Sequence, residues 1–333
     1  MVDVVYLRPG RYIVEVAALS APPAGCGRTT ESRLERYLDV RVEVAAALAT
    51  GRPVVALETT VYAHGLPDPI NLQAAAAMEA AVREEGAGPA TIGLLRGRVV
   101  VGMTPDEIEE LATGSGVAKV SVRDIAPVIA THRPGATTVA ATAVLASTAS
   151  ISVMATGGIG GVHRGGEDSL DVSADIQALS RTPIAVVCSG AKSVLDLGRT
   201  LEALETLGVP VVGFGTDEFP AFYSTESGLG LEYRADDPAD IATILEVQSA
   251  LRRSQGILVV QPPPASEAIP RAVVDGWIDV ALQEARDCGI RGKDVTPFLL
   301  ESVSRTSDGR TLETNLALLE SNARLAARIA VHL

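Results

Sequence analysis

The sequence has few aromatic residues, few cysteines and an excess of acidic over basic side chains. Aromatic residues make up 3% of the 333 residues, whereas hydrophobic residues make up 47%. A core of useful size must therefore be built from Ala, Val, Leu and Ile. The formal net charge of -13 argues against a nucleic-acid backbone or an anionic membrane surface as the main partner. A phosphate-bearing small molecule can still bind through a locally basic pocket.

The cysteine usage and the hydrophobic runs exclude further classes of protein. Cys26, Cys188 and Cys288 are odd in number, widely spaced and without a CxxC pair, which favours neither a disulfide framework nor a zinc site. The first twelve residues carry charges and no apolar run of the kind found in secretory signals. The weakly polar run at 136–155 is interrupted by Ser and Thr, so we do not expect it to span a membrane. We expect a cytoplasmic globular protein.

Short β-branched runs alternate with Ala- and Leu-rich segments over most of the chain. A Pro/Gly-rich polar piece precedes them, so we interpret 1–34 as a flexible N-terminal extension and 35–333 as one domain. We predict strands at 53–57, 118–121, 151–155, 184–188, 210–214 and 256–260, and a strand pair at 90–103. We predict helices at 35–50, 71–85, 104 onward, 122–132, 136–148, 172–180, 192–207, 238–253, 270–287, 296–306 and 312–330. This alternation, without a repeat period, predicts a three-layer α/β/α sandwich in a single domain, and the strand pair joined at Arg96-Gly97 predicts a mixed sheet.

The stretch 183–199, PIAVVCSGAKSVLDLGR, combines a buried strand with a lysine just beyond it. We predict a strand, a tight Ser-Gly turn and a helix that begins near Lys192. The carboxyl ends of strands in open α/β sheets are where ligands bind. A helix N-terminus and partial burial both disfavour an ammonium, so Lys192 is a candidate nucleophilic amine. The alternative is an ordinary solvated lysine at the start of a helix.

A glycine-rich loop follows the strand predicted at 151–155. The glycines of TGGIGGVHRGG (156–166) allow a close approach of backbone to a ligand and can turn amides towards an anion. The loop is not a Walker motif, because no Gly-Lys-Ser/Thr follows, and His163 stands where the third glycine of a dinucleotide fingerprint belongs. His163 and Arg164 favour a phosphate or another polar ligand over the alternative, a flexible surface loop.

Three aspartates follow this loop, at positions 168, 171 and 175. If a helix begins at Asp171, Asp171 and Asp175 share one face and can hold a hard divalent cation through oxygen atoms, with waters retained. The alternative is helix capping, with Asp171 as the N-cap and Ser173 assisting. Glu58, His64 and Lys119 are further candidates because they lie at or just after predicted strands, and Glu58 is a plausible general acid or base. Each of these three residues can equally be an ordinary loop charge.

These segments together resemble the pseudouridine-5'-phosphate glycosidase family, which includes the indigoidine synthase A-like proteins. The match runs from about Val42 to Ala330 and leaves out the residues before about 35. Its motifs are LETTVYAHGLP (57–67), PATIGLLRGRVVVGMT (89–104), AKVSVRD (118–124), GATTVA (135–140), MATGGIGGVHRGGEDSLDVSADI (154–176), VVCSGAKSVLDLG (186–198) and GKDVTPFLL (292–300). The succession of TGGIGGVHRG, DVSADI and SGAKS is the most specific part of this resemblance.

The resemblance implies an enzyme of pseudouridine catabolism that reversibly cleaves the C–C glycosidic bond of pseudouridine 5'-phosphate to uracil and ribose 5-phosphate. It implies Lys192 as the covalent nucleophile, Glu58 as the proton donor and Asp171 as the ligand of a divalent metal, typically Mn²⁺. The substrate contacts that it implies are at Lys119, Val139, Ser173, Ala174 and Asp175, and less firmly at His163 and Asn315. It further implies a homotrimer.

The C–C bond to the uracil ring excludes the usual two-carboxylate glycosidase route, since no oxygen leaving group is present. An amine that attacks C1' with ring opening gives an iminium-type adduct, which accepts the electrons, and a carboxylic acid can move the proton. Two alternatives stay open: a C-glycoside synthase that works mainly in the condensing direction or on another base, and a catalytically silent phosphosugar-binding protein. A sugar kinase is disfavoured, because no nucleotide-phosphate motif is present.

Overall fold

The computed structural model of the protein describes residues 4–8, 11–14, 34–164, 170–290 and 295–333. In these residues fifteen strands are numbered in chain order: β1 (Val4–Arg8), β2 (Arg11–Val14), β3 (Leu38–Val40), β4 (Val54–Leu57), β5 (Gly88–Leu95), β6 (Arg98–Val101), β7 (Ala118–Val120), β8 (Gly135–Thr137), β9 (Val153–Ala155), β10 (Val162–His163), β11 (Ala185–Cys188), β12 (Leu195–Asp196), β13 (Val211–Phe214), β14 (Tyr233–Ala235) and β15 (Ile257–Val260).

The helices of the same residues lie mostly between these strands. They are α1 (Val42–Ala49), α2 (Ile70–Glu84), α3 (Pro105–Thr113), α4 (Ile125–Ala130), α5 (Val139–Thr148), α6 (Ala174–Leu179), α7 (Leu197–Thr206), α8 (Pro238–Ala250), α9 (Arg271–Asp287), α10 (Val295–Thr306) and α11 (Arg310–Val331), with a π-helical turn at Val61–Gly65 and a 3-10 turn at Val122–Asp124.

One mixed sheet organises the described part of the chain. Its strands follow the order β14-β13-β15-β11-β9-β4-β5-β6-β3, and β8 pairs with both β5 and β7. The pairs from β14 to β5 are parallel, whereas β5 pairs antiparallel with β6 and with β8. The three-layer α/β/α sandwich on a mixed sheet is therefore confirmed, as is the strand pair that turns at Arg96-Gly97.

The central strands are apolar on both faces because helices cover both faces. Every residue of β4, β9, β11 and β15 is buried, which is the pattern of interior parallel strands. Helix α11 packs against α2 and against β4, β9 and β11, whereas α5 packs against α6 and contacts β4, β5 and β8. The long C-terminal helix thus lies next to the strands whose carboxyl ends carry the candidate residues.

Two boundaries differ from the sequence-based expectations because short strands precede the helices. The segment 35–50 is not one helix, since β3 pairs with β6 before α1 begins at Val42. Likewise 136–148 begins with β8, and the helix starts at Val139, where Thr138 caps it by accepting a hydrogen bond from Ala141 N–H. The helix predicted from 104 onward is confirmed as α3, and Thr104 and Glu107 form a capping box at its start.

Near the N-terminus β1 and β2 form a two-stranded antiparallel ribbon. These strands are not expected from the sequence, and the assignment of 1–34 to a flexible extension stays a prediction. Within the described residues, no helix has the length and apolar character that a membrane crossing needs.

Candidate active site

Three neighbouring strands deliver the candidate residues to one edge of the sheet. Strands β4, β9 and β11 are parallel neighbours, and Glu58, Thr156 and Ser189 follow their last residues. Lys192 comes three residues after Ser189. This convergence is the expected consequence of parallel pairing, since the carboxyl ends of such strands meet at one edge.

Glu58 and Lys192 border a cavity of about 880 Å³, and all but one of the ten predicted site residues line it. They are Glu58, Lys119, Val139, His163, Asp171, Ser173, Ala174, Asp175 and Lys192. A smaller cavity of about 60 Å³ is lined by the tenth residue, Asn315, together with Glu58, Lys119 and Lys192. Because Thr60 also lines both cavities, as Glu58 and the two lysines do, the two form one continuous candidate site with these residues at the junction.

Glu58 is a buried carboxyl group in a mixed electrostatic environment. Its side chain accepts a hydrogen bond from Thr156 Oγ1, and the residue is 5% exposed. Burial raises the pKa of Glu58 above its ordinary value, and this effect outweighs the opposing influence of Lys192, Thr156 and Lys119. A carboxyl group that holds its proton more tightly, next to a lysine, is suited to act as a general acid or base.

Lys192 lies in a loop, not at a helix N-terminus. The next helix, α7, begins at Leu197 and is capped by Asp196, whose side chain accepts a hydrogen bond from Arg199 N–H. The predicted contribution of a helix dipole to Lys192 is therefore wrong. Its backbone is nonetheless fixed, because Lys192 N–H donates to Ile159 O at 3.0 Å and Leu195 N–H donates to Lys192 O at 3.0 Å. The side chain is half-buried and reaches the cavity.

The glycine-rich loop is packed against protein. A Cβ at Gly160 would lie 2.3 Å from Ser173 Oγ, and one at Gly161 would lie 2.3 Å from Thr200 Oγ1. The N–H groups of Ile159, Gly160 and Val162 donate to Gly190 O, Asp175 Oδ2 and Thr200 Oγ1. These three amides are thus engaged by the protein and do not point at an anion, whereas the predicted close approach of the glycine backbone to a ligand stays a prediction. Gly165 and Gly166 lie outside the described residues.

Asp175 binds backbone amides of two different segments. Its Oδ1 accepts from Ala140 N–H at 2.9 Å and its Oδ2 accepts from Gly160 N–H at 2.7 Å. Ser173, the N-cap of α6, accepts from Asp175 N–H at 3.2 Å. Both the shared helical face of Asp171 and Asp175 and the capping role of Asp171 are therefore wrong, since α6 begins at Ala174.

Asp171 and His163 form the part of the site where a cation could bind. His163 Nδ1 lies 3.9 Å from Asp171 Oδ2, and His163 N–H donates to Asp171 O at 3.0 Å. Burial lowers the pKa of His163, more than the Asp171 charge raises it. No group of three or more His, Cys, Asp or Glu side chains arranged for a metal occurs among the residues described. Asp171 supplies the carboxylate oxygens here, and a hard cation held by it would keep most of its waters. Asp168 lies outside the described residues.

The structure also brings His64 to the site. His64 lines the smaller cavity with Lys119. Burial, followed by the neighbouring Lys119 charge, lowers the pKa of His64. Strands β5 and β6 separate His64 from Lys119 in the sequence, so only the fold relates them.

Sequence reasoning missed several residues that shape the site. Thr156 bonds Glu58, and Phe222 lines the smaller cavity with its ring against Gly158, where a Cβ would meet the ring at 2.6 Å. Phe222 has a φ of 64°, which is unusual for a residue other than glycine. Asn322 of α11 is fully buried and donates to Thr156 O at 2.8 Å. An asparagine within an otherwise apolar helix face is the one sequence signal that could have identified this contact.

The arrangement joins an amine, a protonatable carboxyl group and a further cation in one cavity. An amine can form a covalent bond with an electrophilic sugar carbon, and the carboxyl group can move the proton that accompanies it. The second lysine can neutralise an anionic substituent. The geometry alone therefore favours covalent chemistry on an anionic small molecule.

Comparison with known proteins assigns the family. The model of the family described as "Indigoidine synthase A like protein" matches residues 43–332. A pseudouridine-5'-phosphate glycosidase of Paracoccus denitrificans is 53% identical over 86% of this chain and 95% of its own. The protein of the same name from Caldanaerobacter subterraneus is 48% identical over 90% of this chain and 98% of its own length.

A solved structure extends the comparison to the fold. The prealnumycin C-glycosynthase AlnA, in complex with ribulose 5-phosphate, superposes with a TM-score of 0.83 at 41% identity, over 90% of this chain and 97% of that one. Sequence and fold thus agree over nearly the same residues. The chain belongs to the indigoidine synthase A-like family and, like its relatives named pseudouridine-5'-phosphate glycosidase, is an enzyme.

Proposed function

We propose that the enzyme reversibly cleaves the C–C glycosidic bond of pseudouridine 5'-phosphate, giving uracil and ribose 5-phosphate, through a covalent adduct on Lys192. The observation that carries this proposal is the pairing of lysines with a buried acid. The chain has three lysines, Lys119, Lys192 and Lys293, and two of them line the cavity that holds Glu58. The names of the relatives support the same reaction.

Lys192 acts as the nucleophile in its neutral form. Its Nζ forms a bond to C1' of the ribose while the bond from C1' to O4' breaks, and O4' takes a proton. The nitrogen then loses a proton, which leaves an open-chain amine that still carries the uracil. When the C1'–C5 bond breaks, its electron pair stays with the uracil ring, and the nitrogen lone pair forms an iminium with C1'. Water hydrolyses the iminium to ribose 5-phosphate and free Lys192.

Glu58 supplies and recovers the protons in this sequence. As a carboxylic acid it protonates O4' during ring opening, and the resulting carboxylate takes the proton released by the nitrogen. The re-formed acid then protonates C5 of uracil, so that the ring leaves as a neutral molecule. Hydrolysis of the iminium releases a proton, which returns Glu58 to its acid form. The raised pKa of Glu58 supports this role because a larger fraction of the group carries a proton at neutral pH than in an exposed glutamate.

The remaining predicted contacts orient the substrate. Lys119 neutralises the 5'-phosphate, and binding energy from that remote group positions C1' near Lys192. Val139, the Ser173-Ala174-Asp175 run, His163 and Asn315 complete the walls of the cavities. The homotrimer and the cytoplasmic location stay predictions.

Asp171 would hold Mn²⁺ or a similar divalent ion, with waters as the other ligands. The bound ion would supply positive charge at the cavity wall and so help to order anionic groups there. Dialysis against a chelator should lower turnover, and added Mn²⁺ should restore it. Asp171→Asn should raise the Mn²⁺ concentration needed for half-maximal turnover, and an unchanged Mn²⁺ requirement would remove Asp171 from this role.

A second candidate function is a C-glycoside synthase that works mainly in the condensing direction. It is favoured by the likeness to AlnA, a C-glycosynthase at 41% identity. Phe222 and Asn315 line the smaller cavity and are the side chains through which a different base could be selected. The silent phosphosugar-binding protein is disfavoured, since simple binding needs no pairing of an amine with a protonatable acid.

Turnover of pseudouridine 5'-phosphate tests the proposal. We expect stoichiometric uracil and ribose 5-phosphate from the parent protein and none from Lys192→Ala. Uracil should also be the best partner of ribose 5-phosphate in the reverse reaction when it is compared with other pyrimidines. Preference for another base would favour the synthase, and the absence of turnover in both directions would refute the proposed reaction.

A further inference from the structure

Glu58 lies in a position where one of its two oxygens is already engaged by the protein. Thr156 Oγ1 donates a hydrogen bond to Glu58 Oε1 across 98 residues of sequence. Both residues are buried, at 5% exposure for Glu58 and 1% for Thr156. Because Oε1 is turned towards Thr156, Oε2 is the oxygen better placed to exchange a proton with the substrate.

We propose that Thr156 is a positioning residue that fixes the orientation of Glu58 and leaves Oε2 as the oxygen that exchanges protons with the substrate. This inference rests on the proposed function, in which Glu58 is the acid. It adds Thr156 to the residues of the site and names Oε2 as the oxygen of Glu58 that exchanges protons.

The backbone of Thr156 forms hydrogen bonds through both its N–H and its carbonyl group, so the point from which its side chain extends is fixed. Thr156 N–H donates to Val187 O of β11 at 3.0 Å. Thr156 O accepts from Asn322 Nδ2 at 2.8 Å. A hydroxyl on a backbone that is bound at both its N–H and its carbonyl is well suited to align a partner side chain.

The same asparagine ties the acid to the nucleophile. Asn322 Nδ2 also lies 3.2 Å from Ser189 Oγ, at the start of the turn that leads to Lys192. Asn322 Oδ1 accepts from Gln261 Nε2 at 2.9 Å, which fixes the orientation of the amide. Through this network α11 fixes the positions of the segments that carry Thr156 and Lys192 relative to each other.

The charged and titratable groups around Glu58 come from four segments. They are Lys192 after β11, Lys119 of β7, Asp175 of α6 and Tyr62 of the π-helical turn. The hydroxyl of Thr156 favours the ionised carboxylate, as the two lysines do, whereas burial and Asp175 favour the protonated form. Removal of the hydroxyl must therefore move the titration of Glu58 to higher pH.

A matched pair of threonines tests the proposal. Thr91 Oγ1 donates to Glu79 Oε1 at 2.7 Å, and both residues are buried but line neither of the two site cavities. We would compare Thr156→Val, Thr156→Ser and Thr91→Val with the parent by the pH dependence of kcat and kcat/KM for pseudouridine 5'-phosphate. The expected result for Thr156→Val is a fall in kcat of about tenfold to a hundredfold with little change in KM. In the pH profile of Thr156→Val, the limb that reports the titration of Glu58 should lie at higher pH than in the parent. The pH profiles of Thr156→Ser and Thr91→Val should resemble that of the parent.

A second readout does not depend on turnover. The carboxyl carbons of labelled glutamate, with the Glu58 signal assigned by its loss in Glu58→Gln, report the titration of Glu58 directly. An upward shift in Thr156→Val but not in Thr91→Val supports the proposal, and an unchanged titration with an unchanged kcat overturns it. If Thr156→Val does not fold, Thr156→Ala, which also lacks the hydroxyl, gives the same comparison. Failure of the parent to turn over would refute the proposed function, while the titration would still decide the role of Thr156.

Discussion

Glu58 and Glu79 are both buried, and each accepts a hydrogen bond from a buried threonine, yet their surroundings differ. Glu79 lies on α2, and its second oxygen is 3.1 Å from Nη2 of Arg83, a mostly exposed side chain. Glu58 instead lines two cavities together with Lys192 and Lys119. Glu79 therefore has a partner for each oxygen within the protein, whereas Glu58 has one oxygen bonded and faces space for a substrate.

The comparison shows that burial and a threonine partner do not by themselves make a catalytic carboxyl group. An arginine at the surface completes the Glu79 pair, and the contact serves to attach α2 to β5. Around Glu58 the cations are lysines that face a cavity, and one of them can react covalently. The difference in function thus follows from what the second oxygen faces.

The largest expected effect comes from removal of the amine that distinguishes the two environments. Lys192→Ala should abolish turnover, because the proposed reaction proceeds through an iminium on Lys192, and Lys119 is assigned to the phosphate. The fold should persist, since Lys192 is half-buried and its backbone amide bonds do not depend on its side chain. Turnover and thermal unfolding should be measured together. Activity within tenfold of the parent would contradict the covalent mechanism.

The next effect compares the two glutamates directly. Glu58→Gln should lower kcat by roughly 10²- to 10⁴-fold, the usual contribution of general acid–base catalysis, while substrate binding persists. Glu79→Gln should leave kcat near that of the parent and change only stability. Steady-state kinetics of both variants would measure the two values of kcat. Equal losses of activity would contradict the difference between the two glutamates and would show that the site extends to Glu79.

A smaller effect concerns the stability of the two threonine contacts. Thr91→Val and Thr156→Val should each lower the free energy of unfolding by about 1–3 kcal/mol, since each leaves a buried carboxyl oxygen without its donor. Denaturant titration would measure both losses. An unchanged free energy of unfolding in Thr156→Val would contradict the role of Thr156, because the contact would then be too weak to align Glu58.

The smallest effect is a gain of stability in Glu58→Gln at neutral pH. The pKa of Glu58 in the folded protein lies above its ordinary value of 4.5, so ionisation of this group opposes folding. The stability present below pH 4.5 is lost as the pH rises through the folded-state pKa. Glu58→Gln should therefore unfold at a higher temperature than the parent at pH 8, and the difference should shrink on acidification. A constant difference across pH would indicate that charge is not its cause.

The sequence was sufficient for the central strands of the sheet and for the residues that follow them. Buried β-branched runs identified β4, β11 and β15, and Glu58 and Lys192 could be singled out because each follows such a run. Local patterns failed where short strands preceded helices, as at β3 and β8. The helix expected at Lys192 was also misplaced, because the segment before Leu197 is held by pairing of β12 with β10, which local sequence does not reveal.

Contacts between distant segments were out of reach of sequence patterns. Thr156 and Glu58 are 98 residues apart, and Asn322 and Thr156 are 166 apart. The glycines of 157–161 were recognised as a close-approach loop, but the groups they approach, Ser173, Thr200 and Phe222, are set by the fold. Composition identified the candidate groups, and tertiary packing determined which of them meet.

The most direct measurement is reductive trapping of the adduct. The protein would be incubated with ribose 5-phosphate and a mild imine-reducing agent, and intact mass and peptide mapping would locate any modification among the three lysines. The account predicts one ribose-phosphate adduct per chain, located at Lys192 and absent from Lys192→Ala, with Glu79→Gln labelled like the parent. Tight binding of ribose 5-phosphate without an adduct, or an adduct elsewhere, would contradict the assignment of Lys192 as the nucleophile.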